Sequence, residues 1–187
     1  NCFRSGKGAQ FGCESALEIL KRFFELYLAQ NAESRTLPDG FENRLKKSLK
    51  LCWDKKVYND IKENPLQESD LMPLADRVRK IYEAGNGLLN IYGATFLAIG
   101  ICEDFFISLH IGDGAILCID EDGTYYSPVP QDAKSETGAP ASLCDTDLFS
   151  RENAFRVGVS KKLPQLATVS SDGIEAVSYT HLRAHET

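Results

Sequence analysis

The sequence predicts an α+β fold in which a helical layer is followed by an antiparallel sheet. Three observations predict it. Residues 1–87 repeat apolar side chains at helical spacing, residues 88–175 break into short runs rich in Ile, Phe, Leu and Tyr, and acidic or Asp-Gly pairs separate those runs. Helices and strands segregated in this way bury their apolar faces when the helices lie over one face of the sheet.

The first helix is expected over residues 13–31, with Leu17, Leu20, Phe24 and Leu28 on one stripe and Ala16, Phe23 and Tyr27 widening it. A second is expected over 41–61, since Phe41, Leu45, Leu49 and Trp53 recur every fourth residue. A third, over 70–84, groups Leu71, Leu74, Val78 and Ile81 and is stopped by Gly85-Asn86-Gly87. Strands follow at 91–101, 104–111, 115–120 and 123–127. Glu103-Asp104, Asp113-Gly114 and Asp122-Gly123 separate them at hairpin spacing, which predicts an antiparallel meander. Residues 128–153, with Pro128, Pro130 and Pro140, read as a long loop, and strands at 154–160 and 166–170 close the set.

Composition bounds the function. A chain of 187 residues, 43 % hydrophobic and 26 % charged, has enough apolar material for one substantial core. The longest apolar stretch, Leu88 to Ile101, is interrupted by Asn90 and falls short of a bilayer span, so no membrane partner is expected. No signal peptide opens the chain, and a cytoplasmic location is expected. Cys2, Cys13, Cys52, Cys102, Cys118 and Cys144 form no C-x-x-C pair and read as reduced thiols. Of three histidines, His181 and His185 fall in the last seven residues, leaving little from which to build a zinc site or a Ser-His-Asp triad; His110, alone on an apolar strand, reads as structural.

The net charge of -6 is unevenly placed: residues 1–62 carry +4 and residues 63–187 carry -10. The basic residues Arg44, Lys46, Lys47, Lys50, Lys55 and Lys56 fall on a helical pattern and read as a solvated face, so no nucleic-acid partner is expected. Nothing in the sequence sets the oligomeric state.

The stretch LATVSSDGIEA, residues 166–176, carries the chemistry of most interest. A buried strand from Leu166 to Val169 would hold Ser170-Ser171-Asp172-Gly173 at its end, where a carboxylate on rigid backbone faces a ligand-accessible edge. An Asp-Gly pair is also a common turn, and on this stretch alone the turn is the simpler reading. Asp113-Gly114 is likewise a turn whatever else it does.

Three motifs stand in order: Tyr92-Gly93-Ala94-Thr95 opening a strand, Ile111-Gly112-Asp113-Gly114 at a hairpin, and Ser170-Ser171-Asp172-Gly173 after a strand. In that order they resemble the metal-dependent, PPM-type protein phosphatases of the type 2C family. The opening NCFRSGKGAQFGCESALEIL is similar to the segment that leads into that family's first long helix. The resemblance implies a four-layer α-β-β-α sandwich, incomplete at both ends, with two Mg²⁺ or Mn²⁺ ions between the sheet edges and a phosphoserine or phosphothreonine protein as substrate. By the same resemblance Asp172 matches a direct metal ligand, Gly173 gives the chain room to turn away beside it, and Asp113 matches an aspartate close to the metals.

The departures are equally specific. The family's Asp-Gly-His-Gly would lie before Asn1, its last metal aspartate would lie beyond the Ser-Asp-Gly strand, and its phosphate-binding arginine would lie upstream of the missing motif. Residues 1–175 are therefore expected to be a partial phosphatase domain, mainly helical over 1–87 and mainly sheet over 88–175, inactive alone. Residues 176–187, AVSYTHLRAHET, read as a translated sequencing adapter rather than native chain. Arg4 and Ser5 either face the cleft or lie on a solvated loop, and Asp145 and Asp147 read as surface acids. The alternative function is a non-catalytic binding or regulatory module on the same fold. An Asp-Gly-His-Gly upstream of Asn1 in the parent gene would favour the enzyme, and its substitution the binding module.

Overall fold

The structure is a computed structural model that describes residues 3–103, 105–129 and 140–171. They divide into two compact units: residues 3–94 with Leu143–Thr146, and the remainder.

The first unit is helical. Helix α1, Ser5–Leu28, begins eight residues before the predicted start. Gly6, Gly8 and Gly12 weaken helical propensity locally, but packing overrides it, because Gly8 and Gly12 are buried and Gly8 lies close against a neighbouring backbone. A Cβ at Gly8 would overlap the Tyr92 carbonyl oxygen, and Trp53 donates its indole N–H to the Gly8 carbonyl at 2.9 Å. The buried stripe accordingly runs through Gly8, Gly12, Ala16 and Leu20 to Tyr27, while Leu17, expected on the stripe, is 72 % exposed.

Helix α2, Phe41–Glu63, follows the sequence reading closely. Phe41, Leu45, Leu49, Trp53 and Val57 are all buried, and each such side chain stabilises the fold by about 1.5–3 kcal/mol. The third predicted helix divides into α3, Glu68–Leu71, and α4, Asp76–Glu83. Pro73 lies between them and has no amide hydrogen with which to continue the ladder. A capping box in which the Gln67 amide donates to Asp70 at 3.0 Å starts α3. Ile91 and Tyr92, predicted to open a strand, instead end a short 3-10 helix, Leu88–Tyr92, entered through Gly87 at φ 64°. Leu143 ties its segment to this unit by donating its N–H to the Ala94 carbonyl at 2.9 Å.

The second unit holds two antiparallel three-stranded sheets, so the fold is of the α+β class. The first sheet has the order β1 (Phe96–Cys102), β2 (Phe105–Ile111), β5 (Phe155–Ser160); the second has β4 (Tyr125–Tyr126), β3 (Ala115–Ile119), β6 (Leu166–Ser170). The sheets pack on one another through Phe106, Ile116 and Cys118, with Leu97, Ile99, Tyr126 and Ala167 around them. Strand β2, central in its sheet, is buried at all seven positions.

Two expectations are corrected here. The strands do not form one meander: β2 and β3 do not pair, and Gly112-Asp113-Gly114 carries the chain from one sheet to the other instead of closing a hairpin. The antiparallel pairings of β1 with β2 and of β3 with β4 do form, with Cys102 paired to Phe105 and Ile119 to Tyr125. The run Leu166 to Val169, read as buried, forms the sheet-edge strand β6, in which Leu166 and Val169 are 51 % and 43 % exposed. No helix among the described residues is long and apolar enough to cross a membrane.

Candidate functional site

The registers of the two sheets bring Thr95, Gly112-Asp113-Gly114 and Ser170 to one corner of the second unit. Phe96 pairs with Ile111, which sets Thr95 beside Gly112. Ala115 pairs with Ser170, which brings the end of β6 beside Gly114. The two glycines allow this convergence. Gly112 has φ 106°, where a side chain is strained, and a Cβ there would lie 2.5 Å from Thr95 Cγ2 and 3.3 Å from the Ala141 carbonyl oxygen. A Cβ at Gly114 would lie 2.6 Å from the Ser170 carbonyl oxygen.

Asp113 sits between these glycines, half-buried at the turn from one sheet to the other. Behind it, Arg156 of β5 is buried and donates from Nη2 to the Gly112 carbonyl at 2.8 Å. His110 is buried opposite Arg156 across the β2–β5 ladder. Ser171, the last described residue, is exposed. Asp172 and Gly173, the main predicted metal positions, lie outside the described residues.

The donor chemistry of this corner suits a hard divalent cation, which prefers carboxylate and carbonyl oxygens. The number of donors does not complete a site: among the described residues no group of three or more His, Cys, Asp or Glu is placed to hold a metal ion. Asp113 is the one predicted metal position that the structure describes.

A second polar cluster, in the helical unit, was not legible in the sequence. Arg4, left open between a cleft-facing and a solvated position, is held within that unit. Its Nη1 donates to the Tyr92 hydroxyl at 2.7 Å and to the Asn64 carbonyl at 2.8 Å, and its guanidinium lies 3.7 Å from Asp60 and 3.6 Å from Asp70. Its own amide donates to the Ile91 carbonyl at 2.8 Å. Ser5 is exposed in the first turn of α1.

Asp60 is the centre of the cluster. It accepts from Tyr92 at 2.6 Å, from Lys7 at 2.5 Å and from Asn64 at 2.8 Å. Burial pushes the carboxyl up, but the hydrogen bonds from Lys7, Tyr92 and Asn64 outweigh it and hold the pKa below the ordinary carboxylate value. Burial, reinforced by the bond to Asp60, pushes the Tyr92 phenol up to about 12. The signal that could have found this cluster is the position of Asp60, which continues the buried stripe of α2 three residues beyond Val57. A carboxylate on an apolar stripe needs partners.

Of the remaining acids, Asp147 is exposed as expected, whereas Asp145 is half-buried and accepts from the Cys144 thiol at 3.9 Å. Cys13, Cys52, Cys102, Cys118 and Cys144 form no disulfide among the described residues.

The chain matches the protein phosphatase 2C family over residues 2–187. It belongs to that family, and a phosphatase of the PPM type is the class that the family and the α+β fold define. No curated protein and no solved structure matches it.

Proposed function

We propose that the chain is part of a metal-dependent serine/threonine protein phosphatase that hydrolyses phosphomonoesters on phosphoserine or phosphothreonine proteins in the cytoplasm. The observation that carries this reading is the convergence of Thr95, Gly112-Asp113-Gly114 and Ser170 at one corner, in a chain of the protein phosphatase 2C family. Segments far apart in sequence supply one site, and the residue after Ser171 is an aspartate.

In this reading Asp172 is the direct ligand of Mg²⁺ or Mn²⁺, Gly173 lets the chain leave the site, and Asp113 supports the metals from the neighbouring turn. A bound pair of such ions supplies a water nucleophile at neutral pH and neutralises phosphoryl charge. The protein's part is to hold carboxylates at fixed backbone positions and to keep the corner rigid through Gly112 and Arg156. No Asp-Gly-His-Gly occurs in the 187 residues, so this chain by itself is expected to turn over substrate feebly or not at all.

Mn²⁺ titration of the 187-residue chain tests the reading, because binding needs fewer ligands than turnover. Weak binding that Asp172→Asn diminishes supports it. Binding indifferent to that change overturns the assignment of Asp172.

A further inference from the structure

Arg156 enters the site through a single peptide unit. The Gly112 carbonyl oxygen that accepts from Arg156 Nη2 at 2.8 Å belongs to the same planar amide as the N–H of Asp113. Fixing that oxygen therefore fixes the plane from which Asp113 departs, leaving its own torsions to place the carboxylate. The other side of the same residue is closed by Thr95, whose methyl group occupies the space that a Cβ at Gly112 would need. The corner is thus gripped from β5 on one side and from the approach to β1 on the other, with Asp113 directly after the gripped residue.

The choice of residue type bears on this. Strand β5 runs Phe155 to Ser160, and Arg156 is buried within it opposite His110. Arginine is rarely buried, and its rigid planar fork holds an acceptor in a defined direction that a flexible ammonium does not match.

We propose that Arg156 is a positioning residue: through its hydrogen bond to the Gly112 carbonyl it sets the direction in which Asp113 presents its carboxylate at the corner between the two sheets. The functional half of this inference rests on the metal reading of Asp113; the geometric half stands without it.

The experiment uses the full 187-residue chain with Arg156→Gln and, as the milder change, Arg156→Lys, each alone and combined with Asp113→Asn. The metal-free readout is the ¹⁵N relaxation of the Asp113 amide. Its order parameter is expected to fall from the rigid range near about 0.85 towards about 0.6 in the Arg156 variants, while amides in β2 stay rigid. The second readout is Mn²⁺ affinity, expected to weaken by about tenfold or more when Arg156 is changed, as for other groups that orient a metal's ligands. The loss should vanish in the Asp113→Asn background. An Asp113 amide that stays rigid in Arg156→Lys, with only the melting temperature lowered, overturns the proposal. So does an equal loss of Mn²⁺ affinity with and without Asp113. If the amide loosens as expected but the unaltered chain binds no Mn²⁺, positioning is upheld and the metal reading of Asp113 fails.

Discussion

Tyr92 donates its phenolic hydrogen to Asp60 at 2.6 Å and accepts on the same oxygen from Arg4 at 2.7 Å. The hydroxyl thus links a buried anion to a cation at the start of α1, and the 3-10 helix that carries it is pinned to α1 and α2 together. Tyr92→Phe keeps the ring and deletes both bonds. It should lower unfolding free energy by about 1.5–3 kcal/mol, the usual value for hydrogen bonds to charged groups. Urea denaturation checks this, and an unchanged midpoint would show the link to be passive.

The pH dependence has a definite sign. The Asp60 pKa is depressed in the folded state, so its stabilising contribution is complete above the ordinary carboxylate value of 3.8 and is lost as pH falls through the depressed one. Acid unfolding should be less steep below about pH 4 in Asp60→Asn, although that variant starts from a lower stability. Parallel acid limbs in the two proteins would contradict the assignment.

Tyr92 behaves oppositely at the alkaline end. Its pKa is raised from 10.0 to about 12, so its contribution is complete below pH 10 and is lost as pH rises through that window. Of the chain's seven tyrosines, Tyr92 and Tyr126 are both shifted up by burial, and Tyr92→Phe should remove one of the late-ionising phenols from an absorbance titration.

Two glycines in the first helix make a paired test. A methyl group added at Gly6 would meet nothing within 4 Å, whereas one at Gly8 would collide with backbone at Tyr92. Gly6→Ala should stabilise by about 0.4–1 kcal/mol by restricting the unfolded chain. Gly8→Ala should destabilise by about 1–3 kcal/mol through overpacking. Thermal melts of the two variants should move in opposite directions.

On the metal reading proposed above, in a protein that carries the complete site, Asp172→Asn is expected to cost orders of magnitude in turnover and to weaken metal binding, with folding intact or slightly improved, because carboxylates gathered for a metal repel one another without it. Asp113→Asn should cost less. Near-normal turnover with a lowered melting temperature in Asp172→Asn would make that aspartate a turn residue.

How much was legible depended on whether the deciding force was local. Helix α2 could be read because one apolar stripe, Phe41 to Val57, faces the core without interruption. In α1 the buried stripe begins with Gly8 and Gly12, which carry no hydrophobic signal, before it reaches Ala16, Leu20 and Tyr27, and the apolar but exposed Leu17 points to the wrong face. Pro73 is a local signal that the apolar periodicity around it masks. The partition of strands between sheets is not local at all: Asp113-Gly114 has the spacing of a hairpin, and only the pairing of β2 with β5 and of β3 with β6 shows that it is a corner. At the site, the order of the three motifs was readable, whereas Arg156 lies on a strand and Asp60 on the buried stripe of α2 with no motif around them, and they acquire meaning only from what they touch.

The corner at Gly112 also bears on how the chain folds. Strands β1 and β2 are neighbours in sequence, but the third strand of each sheet comes from β5 and β6, which lie within Phe155–Ser160 and Leu166–Ser170. Until that segment is synthesised, the only partner of β3 among the described residues is the two-residue β4. Among the described residues neither sheet gains its third strand early on the ribosome, and one late stretch of chain supplies both by dividing itself between them. Closing such distant pairings is entropically slow, in the range of milliseconds to seconds for strand-dominated folds, so the two sheets are expected to form in a single concerted step after residue 170 has emerged.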